Sequence, residues 1–162
     1  MLPIIWATCG VAVVVAAIWS RHSRRAARIG ELAVAALYLG AGALVNGLLL
    51  ATGEDYHDFA DRSYIPFVRD TWRSLVVPNH VFFISLLIAF EVAVGLLTFA
   101  GGRRAKLGLV AAIAFHIALL SFGWGFFVWS IPMIGALSML LRAAGRTPTA
   151  AVALPDARDE AA

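Results

Sequence analysis

Long apolar runs broken by short basic links dominate this chain. Stretches at roughly 2–20, 31–52, 79–100, 107–123 and 125–141 hold very few charged residues. A helix needs about 20 apolar residues to cross a hydrocarbon core about 30 Å thick, so the pattern predicts five transmembrane helices in an all-α bundle. The last two runs join without a polar loop. A single helix over 107–141 would be about 52 Å long at 1.5 Å per residue, too long for one crossing. Gly123, Gly125 and the interfacial Trp124 supply the turn. A re-entrant hairpin there, leaving four crossings, is the alternative.

Charge sets the expected orientation. Arg21, Arg24, Arg25 and Arg28 follow the first run, Arg103, Arg104 and Lys106 join the third to the fourth, and Arg142 and Arg146 follow the last. Five spans put all three clusters on one side, which the positive-inside rule makes cytoplasmic; four would strand the last two arginines. The N-terminus is then outside, and the first run, with its positive charge after rather than before the apolar core, reads as a retained helix rather than a cleaved signal. The 53–78 loop carries Glu54, Asp55, Asp58, Asp61 and Asp70 and falls outside. Within it, Pro66 opens a predicted amphipathic helix at about 66–77, with Trp72 as an interfacial anchor. The Ala/Pro-rich tail 147–162 is expected to be disordered and cytoplasmic, which leaves 1–146 as one transmembrane domain.

Composition agrees. Of 162 residues, 61% are hydrophobic and 14% charged, against about 25% charged in soluble domains, and mean hydropathy is +0.84. The net charge of +3 comes from side chains at the ends of apolar runs, which argues against a nucleic-acid footprint. Cys9, the single cysteine, excludes an intrachain disulfide. No nucleophile motif, phosphate loop or dinucleotide fingerprint appears. In the second run Ala36, Gly40, Ala43 and Gly47 form a small-residue stripe suited to close helix packing, and Gly108 and Ala112 lead to His116 in the fourth.

Candidate chemistry centres on Glu91 and His116. Each lies nine residues from its end of the basic turn 101–106, so in antiparallel helices both sit about 13 Å from the turn, at one depth in the membrane. Ionisable groups there are costly and mark function by default. His80 shares a helical face with Glu91, Ile84 and Leu87, and Asn46 is expected to join His80 near the outer surface. Together they outline a polar track suited to proton transfer with a quinone or another small redox molecule. A hydrogen-bonded clamp between two helices is the competing reading of the Glu91–His116 pair. Haem is disfavoured, because His80 and His116 lie at different depths. A loop metal site from Glu54, His57, Asp58 and Asp61 can be drawn, but such acidic loops are usually just solvated, and no metal is assigned.

The Gly-rich second run, the loop with Pro66, the segment Phe90-Glu91-Val92-Ala93-Val94-Gly95-Leu96-Leu97 and the Gly101-Gly102-Arg103 turn into an Ala-rich run make 28–142 resemble the DoxX-like group of small helical membrane proteins. Members typically have four helices, so the first run is an addition. The resemblance carries over Glu91, Gly95 and Arg103, and implies a membrane subunit of quinone-linked redox systems. Arg103 joins His80 and Asn46 as candidate ligand-binding residues. No intrinsic cofactor is evident, and quinone is the candidate cofactor. The bilayer and a partner protein or second copy are the expected partners. A non-enzymatic accessory subunit of a larger complex is the alternative function, and a small-molecule carrier is less favoured, for want of broken helices or an inverted repeat.

Overall fold

The computed structural model describes residues 2–145, with side chains from residue 6 onward; Arg146 and the tail 147–162 lie outside the described residues. Six helices account for most of the chain: α1 Leu2–Trp19, α2 Arg24–Ala51, the short α3 Pro66–Thr71, α4 His80–Ala100, α5 Gly102–Leu119 and α6 Trp124–Ala144. Among the described residues there is no strand.

The five long helices close into a ring, each packed on its neighbour in chain order and α1 on α6. Aliphatic residues such as Val15, Leu48, Leu86, Leu96, Val110 and Ile117 point outward, while Glu91, Thr98, His116 and Ser130 are buried. Greasy outside and polar inside is the arrangement expected when lipid is the solvent. Four segments are long and apolar enough to cross a membrane: Arg24–Ala51, Pro66–Ala100, Gly102–Phe122 and Trp124–Ala144. The fifth predicted span is shorter, apolar over Trp6–Trp19 where its side chains are described.

Helix boundaries differ from the hydropathy pattern for local reasons. Ser23 caps α2, its Oγ accepting from the Ala26 amide at 3.3 Å. The helix therefore begins before the apolar run and includes Arg24, Arg25 and Arg28. Gly101 and Gly102, at φ 74° and 60°, turn the chain so tightly that α5 starts at once, with Arg103, Arg104 and Lys106 in its first turns. Hydropathy cannot see this, because charged residues at a helix end look like loop. Gly123, at φ 119°, makes the α5–α6 turn, after one 3₁₀ turn over Leu120–Phe122.

The described members of the three basic clusters, Arg21 to Arg28, Arg103 to Lys106 and Arg142, lie at one end of the bundle. Arg28 donates from Nη2 to the Phe99 carbonyl at 2.6 Å and from Nη1 to the Thr98 carbonyl at 3.4 Å, which joins the start of α2 to the end of α4. The same Nη1 pairs with Glu31 Oε2 at 2.9 Å. Free carbonyls at a helix C-terminus favour such a cation. Arg21 reaches Met139 Sδ near the end of α6 at 3.5 Å.

At the opposite end the 52–65 loop docks onto the α5–α6 turn. Ser63 donates to the Ser121 carbonyl at 2.7 Å and Tyr64 to that of Leu120. The predicted amphipathic segment begins at Pro66 and continues as a π-helical turn, Trp72–Val76, into α4.

The predicted packing stripe on α2 is corrected. A Cβ at Gly40 or Gly47 would meet nothing within 4 Å, whereas Gly42 lies against Glu91 and Gly30 against Leu140. Residues Leu37–Leu44 are π-helical, and the wider turn rotates everything beyond it relative to an ideal 3.6-residue helix. The α5 stripe holds: Gly108, Ala112 and His116 are all buried, and Gly108 faces Leu97 and Thr98.

Candidate functional site

Glu91 sits midway along α4, only 5% exposed, with its carboxyl laid over the bare face of Gly42. A Cβ at position 42 would stand 2.7 Å from Oε1 and 2.8 Å from Cδ, so the π-helical stretch of α2 admits the carboxyl only because residue 42 has no side chain. Asn46, one turn further along α2, donates its Nδ2 to Oε1 at 3.1 Å and to Oε2 at 3.0 Å. Asn46 therefore serves Glu91 rather than His80.

Above this pair lies a cavity of about 570 Å³, bounded by α1, α2, α4, α5 and α6 together with the 52–65 loop and the π-helical turn Trp72–Val76. Glu91 and Asn46 form its polar floor, and Ile84, Leu87, Phe115 and Leu119 belong to its apolar walls. Four aromatic rings roof it. Phe59 stacks on Trp72 with centroids 4.9 Å apart and packs on Phe122 and Phe126 at 5.2 and 5.1 Å. The roof is held by the loop backbone. Trp72 Nε1 donates to the Tyr56 carbonyl at 2.9 Å, and Tyr56 Oη donates to the Asn46 carbonyl at 3.2 Å. Tyr56 itself adopts φ 59°, a conformation rare for a bulky side chain.

His116 is buried, yet it is not among the residues that line this cavity. Its Nδ1 lies 3.4 Å from Ser130 Oγ on α6, and its Nε2 finds no hydrogen-bond partner among the described residues. The Tyr38 ring stands edge-on to it at 6.5 Å, with the Tyr38 hydroxyl also unpartnered. The expected direct pairing is thus corrected: the carboxyl bonds to Asn46 across α2–α4, and the imidazole turns toward Ser130 across α5–α6. Matching depth along two helices does not determine rotation about their axes.

The other candidates are separate. His80 turns its Nδ1–H to the Val77 carbonyl at 3.0 Å and lines a surface groove with Pro78, Phe82 and Ser85. Its neighbours on the shared face, Ile84 and Leu87, do reach the cavity. Arg103 is exposed at the basic end. In the outer loop, His57 is exposed and held between Asp55 and Asp58, at 2.7 and 2.9 Å. No group of three or more His, Cys, Asp or Glu among the described residues is placed to hold a metal ion.

Sequence reasoning missed Gly42, Tyr56, Ser130 and the aromatic roof. Gly42 stands between the glycines and alanines of the chosen stripe, and only the π-helical register brings it to Glu91. No family model, curated protein or solved structure matches this chain.

Proposed function

We propose that this protein is a membrane-embedded subunit that binds a small, largely apolar redox molecule of the quinone class in the Glu91 cavity, with Glu91 exchanging the ligand's proton. The observation that carries the reading is a buried carboxyl, bonded to one neutral amide, at the floor of a 570 Å³ aromatic-roofed cavity. That size is typical of small-molecule sites, as is an apolar wall with few convergent polar groups. A carboxyl in a dry setting suits proton exchange. Electrons would pass to or from a partner protein, in keeping with the DoxX-like resemblance. His116 acts from behind Phe115 as a second proton-handling group, or as a packing group through Ser130. The basic end faces the cytoplasm of the cell membrane and the N-terminus the outside, as the arginine distribution favours.

The test is quinone turnover by the full chain with its co-purified partner in mild detergent. Glu91→Gln is expected to reduce turnover by about a hundredfold or more, the range of general acid–base contributions. Unchanged turnover in a folded Glu91→Gln protein would sink the proposal.

A second reading, an accessory subunit without chemistry of its own, is favoured by one observation. Gly40 and Gly47 face open space rather than another helix of this chain, and small residues of this kind let a partner helix approach closely. Loss of a stoichiometric complex on changing both glycines to Leu, with quinone turnover absent throughout, would favour it.

A further inference from the structure

A second pocket, of about 450 Å³, abuts the Glu91 cavity at the end of the bundle opposite the basic clusters. Trp6, Phe59, Phe122 and Phe126 line both. These four rings do not form one closed wall. Phe59, Phe122 and Phe126 pack on one another with centroids 5.1 to 6.1 Å apart. Among the described residues, Trp6 stacks on Trp129 alone, at 4.1 Å, and Trp129 lies against the bare backbone of Gly10. One side of the shared boundary is therefore a tryptophan pillar joining α1 to α6. The other side is the phenylalanine cluster beneath the 52–65 loop. The two pockets meet where pillar and cluster face each other without a ring contact.

From this we infer that the ligand carries a flexible apolar tail, prenyl or alkyl, which leaves the cavity between Trp6 and Phe126 and follows the α1–α6 seam through the second pocket into lipid. The inference rests on the reading of the cavity as a quinone-class site and names which members of that class it takes. The ring occupies the cavity above Glu91. A bare ring would make no contacts in the second pocket, whereas a tail meets Trp6, Phe126 and Trp129 by dispersion. The charged residues lining that pocket, Asp58 and Arg62, both come from the loop, and Asp58 is already paired with His57 at 2.9 Å. On the α6 side, Gly125 opens into the pocket, since a Cβ there would meet no atom within 4 Å. Exposed Val11, Val128 and Ile131 on the same two helices mark the lipid-facing surface where the tail emerges. Lipid is as apolar as this pocket, so the tail fixes the ligand's path and orientation more than its affinity.

The experiment uses the full chain in lipid nanodiscs and two photoprobes built on one benzoquinone with a short prenyl tail. One carries a diazirine at the end of the tail, the other on the ring. Labelled peptides are mapped by mass spectrometry after irradiation, with and without excess untagged quinone. Ring label is expected around Leu87 and Phe115, and tail label near Trp6 and between Gly125 and Trp129, both lost with the competitor. Retention over empty discs gives a second readout. Gly125→Trp puts an indole into the second pocket and should weaken the tailed quinone about tenfold relative to the same ring without a tail, the scale of an overpacking cost. The label map of the unmodified protein decides the matter even if that variant fails to fold. Competed tail label elsewhere, for instance between α2 and α4, overturns the exit and leaves the quinone-class site standing. An unchanged retention ratio in folded Gly125→Trp does the same. Tail label at the α1–α6 seam that the competitor leaves untouched reduces the pocket to ordinary lipid contact and also overturns the inference. Competed label from neither probe removes both the exit and the quinone-class reading.

Discussion

The side-chain amide of Asn46 spans both carboxyl oxygens of Glu91, 3.1 Å from Oε1 and 3.0 Å from Oε2. This contact ties α2 to α4 at the base of the cavity. Removing either partner strands the other in a largely buried position. Asn46→Leu and Glu91→Leu are each expected to lower stability, and the double variant to lose less than their sum. A coupling of about 1–3 kcal/mol is the scale for contacting polar groups. Unfolding titrations of all four proteins in one detergent measure it, and strict additivity would remove the contact from the energetics.

Gly42 offers a separate handle on the same carboxyl. A methyl group there would come within 2.7 Å of Oε1, so Gly42→Ala must displace Glu91 or part α2 from α4. The cost expected of overpacking is about 1–3 kcal/mol, together with weaker ligand retention. Gly40→Ala meets no atom within 4 Å and should change neither. Equal tolerance at both positions would contradict the described approach of Gly42 to α4.

At the basic end, Arg28 links Glu31 to the terminal carbonyls of α4. Arg28→Leu leaves the largely buried Glu31 without its cation and should cost about 1–3 kcal/mol. Lys is expected to restore only part, because a point charge cannot reproduce the planar fork. Gly101→Ala should be at least as harmful. It forces φ 74° on a residue with a side chain and places a methyl 2.9 Å from Arg28 Nη1. Thermal unfolding of the three variants provides the ranking.

The outer loop should respond to pH near neutrality. Its hydrogen bond to Asp55, then the nearby charges of Asp55 and Asp58, raise the His57 imidazole above its ordinary value. The same bond lowers the Asp55 carboxyl. For His57 the stabilisation is complete below its unfolded value and lost as pH rises through the elevated folded one. For Asp55 it is present above the unfolded carboxylate range and lost as pH falls through the depressed folded one. Both groups are exposed, so the effect is small and screened by salt. Trp72 reports it, since its indole N–H bonds the carbonyl of Tyr56, the residue before His57. Trp72 emission should shift as pH rises through and above the ordinary imidazole range, and His57→Gln should flatten the curve. An unchanged profile in His57→Gln would assign the transition elsewhere.

Much of this architecture is legible in one sequence because its causes are local. Apolar run length predicts five spans, and four helices are long and apolar enough to cross a membrane; the basic clusters at 21–28, 103–106 and 142 mark one end of the bundle. Gly101 and Gly123 mark turns because their positive φ excludes most side chains. Glu91 stands out because a carboxyl within apolar sequence needs a reason. What such reasoning could not supply was Glu91's partner. His116 lies at a matching count from the turn, yet its ring faces Ser130.

Residue count along a helix therefore established depth, while contact depended on rotation. Rotation in turn depended on the π-helical stretch Leu37–Leu44, which carries Gly42 and Asn46 round to Glu91 and turns Gly40 and Gly47 away. Hydrophobic pattern, charge and glycine act over a few residues and can be read in one dimension. The cavity, its aromatic roof and its single polar floor arise where five elements and a loop converge. Only packing in three dimensions, through added turns of backbone and side chains far apart in sequence, decides which groups meet.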